Sequence, residues 1–343
     1  MRWFRRAFER GGRSRGTRGA TLGRALMKAL EHDLAGSEAL LADLVREDSD
    51  DVEAYLALAR LYRAQGEIGR AIRIHQNLLL RRDLDEERRV EALSGLAGDF
   101  QQGGFLRRAI AAWEEFVARR PRNATALRAL VRLHADAREF ERALELQRRL
   151  AKLERSDARA PQAALRLEQA EALRAEGRAD EARRALAKVV RLDPRSAEGW
   201  IRLGELEAER GKSRRALDAW RRVPGLDRRA AARVYPKLAA TYAGLGRARD
   251  YEAWLRALLE AQPEDSGARL ALARALAARG EIDEAAAQAR RVLERDPEHV
   301  EAMATLGRAL LAEPREPEAL KAFAELLDAL ERQGLFVERE RSA

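Results

Sequence analysis

The sequence predicts an all-α fold, a right-handed superhelical solenoid of short helical hairpins. Two observations lead there. Ala, Leu, Arg and Glu dominate a 343-residue chain in which only 5% of residues are aromatic. These are strong helix formers, and the aromatic and β-branched residues that suit a pleated sheet are scarce. The second observation is internal repetition, the signature of arrays whose units bury surface only against their neighbours.

The repeat emerges on aligning a small residue, a glycine seven positions later and an alanine five after that. Ala59, Gly66 and Ala71 fit, as do Ala97, Gly104 and Ala109, then Ala170, Gly177 and Ala182. Gly204, Gly211 and Ala216 follow, then Ala273, Gly280 and Ala285. Full units then begin at Val52, Val90, Ala124, Ala163, Ala197, Ala232, Ser266 and Val300, most of them 34 residues apart. That spacing resembles the tetratricopeptide repeat. Eight such repeats are expected over 52–333, preceded by a capping helical hairpin over 21–51. A basic, flexible tail is expected over 1–20 and a short tail over 334–343.

Each recurring position has a steric reason. The eighth residue faces the second helix of its own hairpin and must be small. The twentieth marks the closest approach of the two helices and is Ala in seven units, whereas the sixth has Tyr251. That tyrosine is expected to open or rotate its hairpin. Gly at position fifteen ends the first helix where a left-handed residue costs least. Pro121, Pro194, Pro263 and Pro297 stop each second helix from running into the next unit. Two longer steps, near LDEERR (84–89) and RSDARAP (155–161), are loop or helix extensions. Pro224 shortens the second helix of the fifth unit.

Charge and composition exclude several function classes. Residues 1–28 hold nine basic side chains against one acid, Glu9, so eight of the nine net positive charges fall there. The body is nearly neutral, and the basic balance is no nucleic-acid signature. With no cysteine, disulfides, thiol catalysis and cysteine–zinc sites are excluded. No window approaches the ~18 apolar residues of a membrane span. His32, His75, His134 and His299 show no metal-ligand spacing, and no phosphate loop, dinucleotide fingerprint or nucleophile elbow occurs. The expectation is a non-catalytic chain with no cofactor and no metal.

Candidate binding residues lie on the first helices, where positions 2, 5, 9 and 12 line a concave face. They are Arg60, Arg63, Arg128, Arg132, Glu171, Arg174, Glu205, Arg274 and Arg308. Arginine suits a bidentate grip on carboxylates, so a mixed-charge protein surface is the expected ligand. The alternative is a solvated face with acid partners four residues away along each helix. The groove lacks the paired Asn and Lys positions of repeats that clamp chaperone C-terminal tails. At the N-terminus Trp3, Phe4 and Phe8 fall near one side of a short helix with Arg5 and Arg6 beside them. Such a segment suits an anionic membrane surface, with about 6 kcal/mol as an upper limit, or else forms the flexible basic tail.

One stretch, GEIGRAIRIHQNLL (66–79), places His75 where such repeats put a buried aromatic. On spacing alone it is a histidine seated in a helix seam, bonded to a nearby backbone group or acid. The run closely resembles the second repeat of the lipopolysaccharide assembly protein B family. DVEAYLALARLYRAQGE before it, LDEERRVEALSGLAGDFQQGGFLRRA after it, LGRARDYEAWLRALLE (245–260) and ALKAFAELLDALERQGLF extend the resemblance over about 37–336. The family's N-terminal membrane anchor and its C-terminal rubredoxin-like zinc module with two CxxC pairs have no counterpart here. The resemblance implies an adaptor at the cytoplasmic face of the inner membrane. It further implies that the adaptor presents lipid A deacetylase to a membrane-bound ATP-dependent protease and helps to assemble lipopolysaccharide enzymes. A general adaptor for another bacterial envelope or secretion complex is the other function class.

Overall fold

A computed structural model of the chain describes residues 17–311 and 316–332, and all regular structure among these residues is helical. In chain order the described α-helices are α1 (Thr17–Leu30), α2 (Leu34–Glu47), α3 (Val52–Ala64), α4 (Ile68–Leu80), α5 (Glu86–Gln102), α6 (Leu106–Arg119) and α7 (Ala124–Asp136). Then come α8 (Phe140–Glu154), α9 (Arg159–Ala175), α10 (Ala179–Leu192), α11 (Ala197–Glu209), α12 (Ser213–Trp220), α13 (Arg228–Ala231) and α14 (Tyr235–Gly244). The last are α15 (Ala248–Ala261), α16 (Ser266–Ala277), α17 (Ile282–Leu293), α18 (Val300–Leu310) and α19 (Glu316–Arg332). This is the all-α repeat architecture that the sequence predicts. The residues form two compact units, one running to Gln169 and one starting at Ala170.

The hairpins start and turn by one local chemistry. Most first helices carry a side-chain cap: Asp51 accepts from the Ala54 N–H, Asn123 from Ala126, Ser196 from Gly199 and Asp265 from Ala268, whereas α14 has none. Such caps satisfy N–H groups that the helix itself leaves unpaired. Among the second helices Asp33 caps α2, whereas α4, α6, α8, α10, α12, α15 and α17 have no side-chain cap and are entered from a tight turn. Gly66, with φ +83°, and Gly280, with φ +85°, sit in that turn. The third hairpin has no glycine there, and Arg138 takes the left-handed conformation instead, at φ +60°. The two longer steps in the repeat prove to be helix extensions. The first helices α5 and α9 have 17 residues against 13 in α3, and Asp85 caps the added turn of α5.

Packing rests on the small positions. Ala71, Ala109 and Ala143 in the first unit have no exposed surface, nor have Ala182, Ala216, Ala285 and Ala319 in the second. In the first unit Ala25, Leu41, Leu44, Leu58, Leu61 and Tyr62 close one core around the first two hairpins. In the second unit Trp220, Tyr235, Leu238, Tyr242, Tyr251 and Leu255 build a core of larger residues. Tyr251 stands where the alanine is missing. Its ring stacks on Tyr242 at 5.5 Å and on Trp254 at 6.0 Å, and its hydroxyl donates to the Tyr235 carbonyl at 3.0 Å. As a result α14 and α15 pack less extensively than other hairpins. Pro224 lies in a 3-10 turn, Val223–Gly225, and α12 stops after 8 residues.

Helix α1 begins at Thr17, inside the stretch expected as tail. Arg18 ties its first turn to Asp48, guanidinium to carboxylate, at 2.7 Å.

A methyl group on Gly204 would stand 2.3 Å from the indole nitrogen of Trp220, which is buried and donates to the Ile201 carbonyl. Gly204→Ala should therefore cost ~1–3 kcal/mol through overpacking. A methyl added at Gly23, inside α1, would meet nothing within 4 Å. Gly23→Ala should add ~0.5–1 kcal/mol through helix propensity. Urea titration of both variants checks the opposite signs.

Candidate protein-binding face

The nine charged residues singled out by the repeat all sit on first helices, and they are bound within the array. In the first unit Arg60 of α3 meets Glu91 of α5 at 2.6 Å, and Arg63 meets Asp99 at 3.0 Å. Arg128 pairs with Glu154, and Arg132 reaches both Asp136 at 2.9 Å and Glu168 at 3.3 Å. In the second unit Glu171 accepts from Arg202 at 3.1 Å, and Arg174 pairs with Glu209. Glu205 pairs with Lys237 and, at 3.2 Å, with Arg202. Arg274 meets Glu301 at 2.5 Å. The Arg308 Nε donates to its own helix, to the Ala304 carbonyl at 3.2 Å.

The partners differ from the alternative that the sequence offered. Only Arg132–Asp136 follows the four-residue spacing along one helix. Most of the others join first helices of consecutive repeats, 31 to 36 residues apart. Within each unit successive first helices lie near one another, and a long arginine spans the gap to the next acid. Most such half-exposed pairs contribute ~0–1 kcal/mol singly. In each unit they make a face that alternates in sign and is close to neutral.

One pairing is buried, and it explains the histidine. The Nδ1 of His75, on α4, lies 2.6 Å from one carboxylate oxygen of Asp99, on α5. Neither side chain has exposed surface. The other Asp99 oxygen accepts from Arg63 Nη1, which also donates to the Gly95 carbonyl, both at 3.0 Å. Facing a carboxylate, Nδ1 carries the proton and donates. Imidazole fits the slot because Gly95 leaves room: a methyl there would come within 2.2 Å of His75 Nε2. The expected seam histidine thus joins α3, α4 and α5 through one acid. Spacing could not reveal Asp99 and Gly95, because neither is unusual in a helix. The period could have revealed the ladder, by a search for opposite charges one repeat apart.

His134 and His299 have structural roles. His134 Nδ1 contacts Glu139 at 2.6 Å, and Arg107 with His134 holds that carboxylate below its ordinary range. His299 caps α18 by accepting from the Ala302 N–H. Among the described residues no group of three or more His, Asp or Glu could hold a metal ion, and no helix is long and apolar enough to cross a membrane. Trp3, Phe4, Arg5, Arg6 and Phe8 lie outside the described residues.

The tetratricopeptide repeat family profile matches residues 21–86, 95–164 and 270–333, and a second profile of the same description matches 163–206. The chain belongs to the tetratricopeptide repeat family. It is 30% identical over 242 residues to lipopolysaccharide assembly protein B of Escherichia coli strain K12, covering 70% of this chain and 61% of that protein. The protein of the same name from Haemophilus influenzae is 34% identical over 107 residues, 31% of this chain and 27% of that protein. The chain thus spans at most about three fifths of these relatives' length. Among solved structures, the MamA protein is 21% identical over 51% of this chain and 94% of that chain, with a TM-score of 0.37.

The ion-pair ladder gives the stability a pH dependence of known sign. Burial raises the Glu205 carboxyl, but Lys237 and Arg202 outweigh it and hold the group below its ordinary 4.5. Arg233 acts likewise on Glu198. A carboxyl depressed on folding contributes stability that is complete above the unfolded value and lost as pH falls through the folded one. The urea midpoint should stay level from pH 7 to about 5.5 and fall below about 4.5. Glu205→Gln should lower neutral-pH stability by ~1 kcal/mol and reduce the acid slope. A slope unchanged by that substitution contradicts the assignment.

Proposed function

We propose that the chain is a non-catalytic adaptor that binds protein partners in lipopolysaccharide (lipid A) assembly, at the cytoplasmic face of the inner membrane. The observation that carries the reading is the 242-residue similarity to lipopolysaccharide assembly protein B, a protein named for that process. The alternating face of the first helices supports it, because a near-neutral surface with both signs suits another mixed-charge protein better than a polyanion. The nine groove residues are its contact set. The partners that the resemblance implies are lipid A deacetylase and a membrane-bound ATP-dependent protease. Trp3, Phe4, Arg5, Arg6 and Phe8 would add reversible contact with anionic lipid.

A cross-linked pull-down of the tagged full chain from its own host tests this. Recovery of the deacetylase and the protease is the expected result. The triple variant Trp3→Ser, Phe4→Ser, Phe8→Ser should leave the membrane fraction. Recovery of an unrelated complex, with neither enzyme, would sink the lipid A assignment and leave an adaptor of another machine.

A further inference from the structure

The first unit contains a cavity of about 580 Å³ between the capping hairpin and the first repeat. Its walls are apolar, built by Leu26, Leu34, Leu41 and Leu61 among others. Its polar lining is Arg60, Arg63, His32, Ser37 and Ser94, with no carboxylate. Arg60 is paired with Glu91 and Arg63 with Asp99, so the lining offers an occupant guanidinium donors rather than a net charge.

Two details show that this lining is not saturated. Both side-chain bonds of Arg63 leave through Nη1, to Asp99 and to the Gly95 carbonyl. Among the described residues its Nε and Nη2 have no hydrogen-bond partner, and together they form the edge that grips a carboxylate side-on. The buried His75–Asp99 pair fixes the guanidinium from behind, so little ordering remains for a ligand to impose. The second detail is Ser37, on α2. It is 1% exposed, and its hydroxyl has no hydrogen-bond partner. A buried hydroxyl left unpaired costs free energy that a bound ligand would return.

We propose that this cavity binds an internal peptide segment of a partner, with an acidic residue on the Nε–Nη2 edge of Arg63 and an adjacent bulky apolar side chain among the leucines. The distribution of polar groups favours a peptide over an acyl chain. They belong to α2, α3, α5 and the turn after α1, where a peptide backbone can use several at once. An acyl chain has one polar end. The chain's own residues 1–16 are a poor occupant, since with six arginines and one acid they offer the cavity guanidiniums a single carboxylate. The proposal deepens the adaptor reading and rests on it.

The test begins with random heptapeptides displayed on phage. They are selected on the full chain and counter-selected on Ala64→Trp, which fills the cavity from an exposed lining position. Surviving sequences should pair aspartate or glutamate with a neighbouring leucine, isoleucine, phenylalanine or methionine. A synthetic peptide of that sequence should bind Ser37→Ala about five-fold more weakly, while the variant's melting temperature stays level or rises. A purely structural serine would leave affinity unchanged. Arg63→Lys, which keeps the charge and loses the fork, should weaken binding further. No enrichment after counter-selection, enrichment without acids, or an unaffected Ser37→Ala overturns the proposal. So does saturation of the cavity by laurate with no peptide selected, which would assign it to an acyl chain. If a partner is recovered from the host equally by wild type and Ala64→Trp, the cavity proposal fails and the adaptor reading stands. If no partner is recovered at all, the adaptor reading itself fails.

Discussion

The closest approach of two helices in each hairpin governs the architecture of both units. Seven alanines at that position have no exposed surface, and a longer side chain there would need backbone movement that a dense core resists. Hairpins closed to the same spacing give the first helices a repeated setting within each unit. A charge on one first helix then meets the charge about one period away, and the arginine–acid ladder follows from the alanines. The sixth hairpin shows the dependence by exception. Tyr251 replaces the alanine, an aromatic stack fills the seam, and α14 is short and packs less extensively on α15 than in the other hairpins.

The ladder and the His75 pairing show two uses of charge. The exposed pairs are screened, cost little and add little. Their effect is to neutralise the face and set its pattern of sign, which governs which partners it rejects. The His75–Asp99–Arg63 network is different. Burying it removes charged groups from water, a cost that only a full set of bonds offsets. Such a network adds little net stability over an apolar core but strongly opposes loss of one member. It holds α3, α4 and α5 in one arrangement.

Much of the fold was legible in the sequence, since small residues and left-handed turns leave fixed marks at fixed intervals. Val52, Ala124, Ala197, Ser266 and Val300 open both a repeat by spacing and a helix in the structure. What stayed hidden depends on contacts between repeats. Nothing about Asp99 in GLAGDF distinguishes a buried ion partner from a solvated acid. The left-handed Arg138 breaks the glycine rule, because closure of its hairpin imposes the turn on whatever residue is present. The candidate arginines were visible by position, but their partners were not, because local spacing rules look four residues away and not one period away.

Backbone hydrogen exchange of the full chain and of Asp99→Ala probes the buried network and the spread of its effect at once. In a repeat protein stability is a sum of local terms and neighbour interfaces. Removing Asp99 leaves His75 and Arg63 without their shared acceptor. Protection in α3, α4 and α5 is then expected to fall by the equivalent of ~3 kcal/mol. Protection in α16 to α19 should stay unchanged. Unchanged exchange in α3 to α5, or an equal loss along the whole chain, would show that the buried acid does not hold these three helices together.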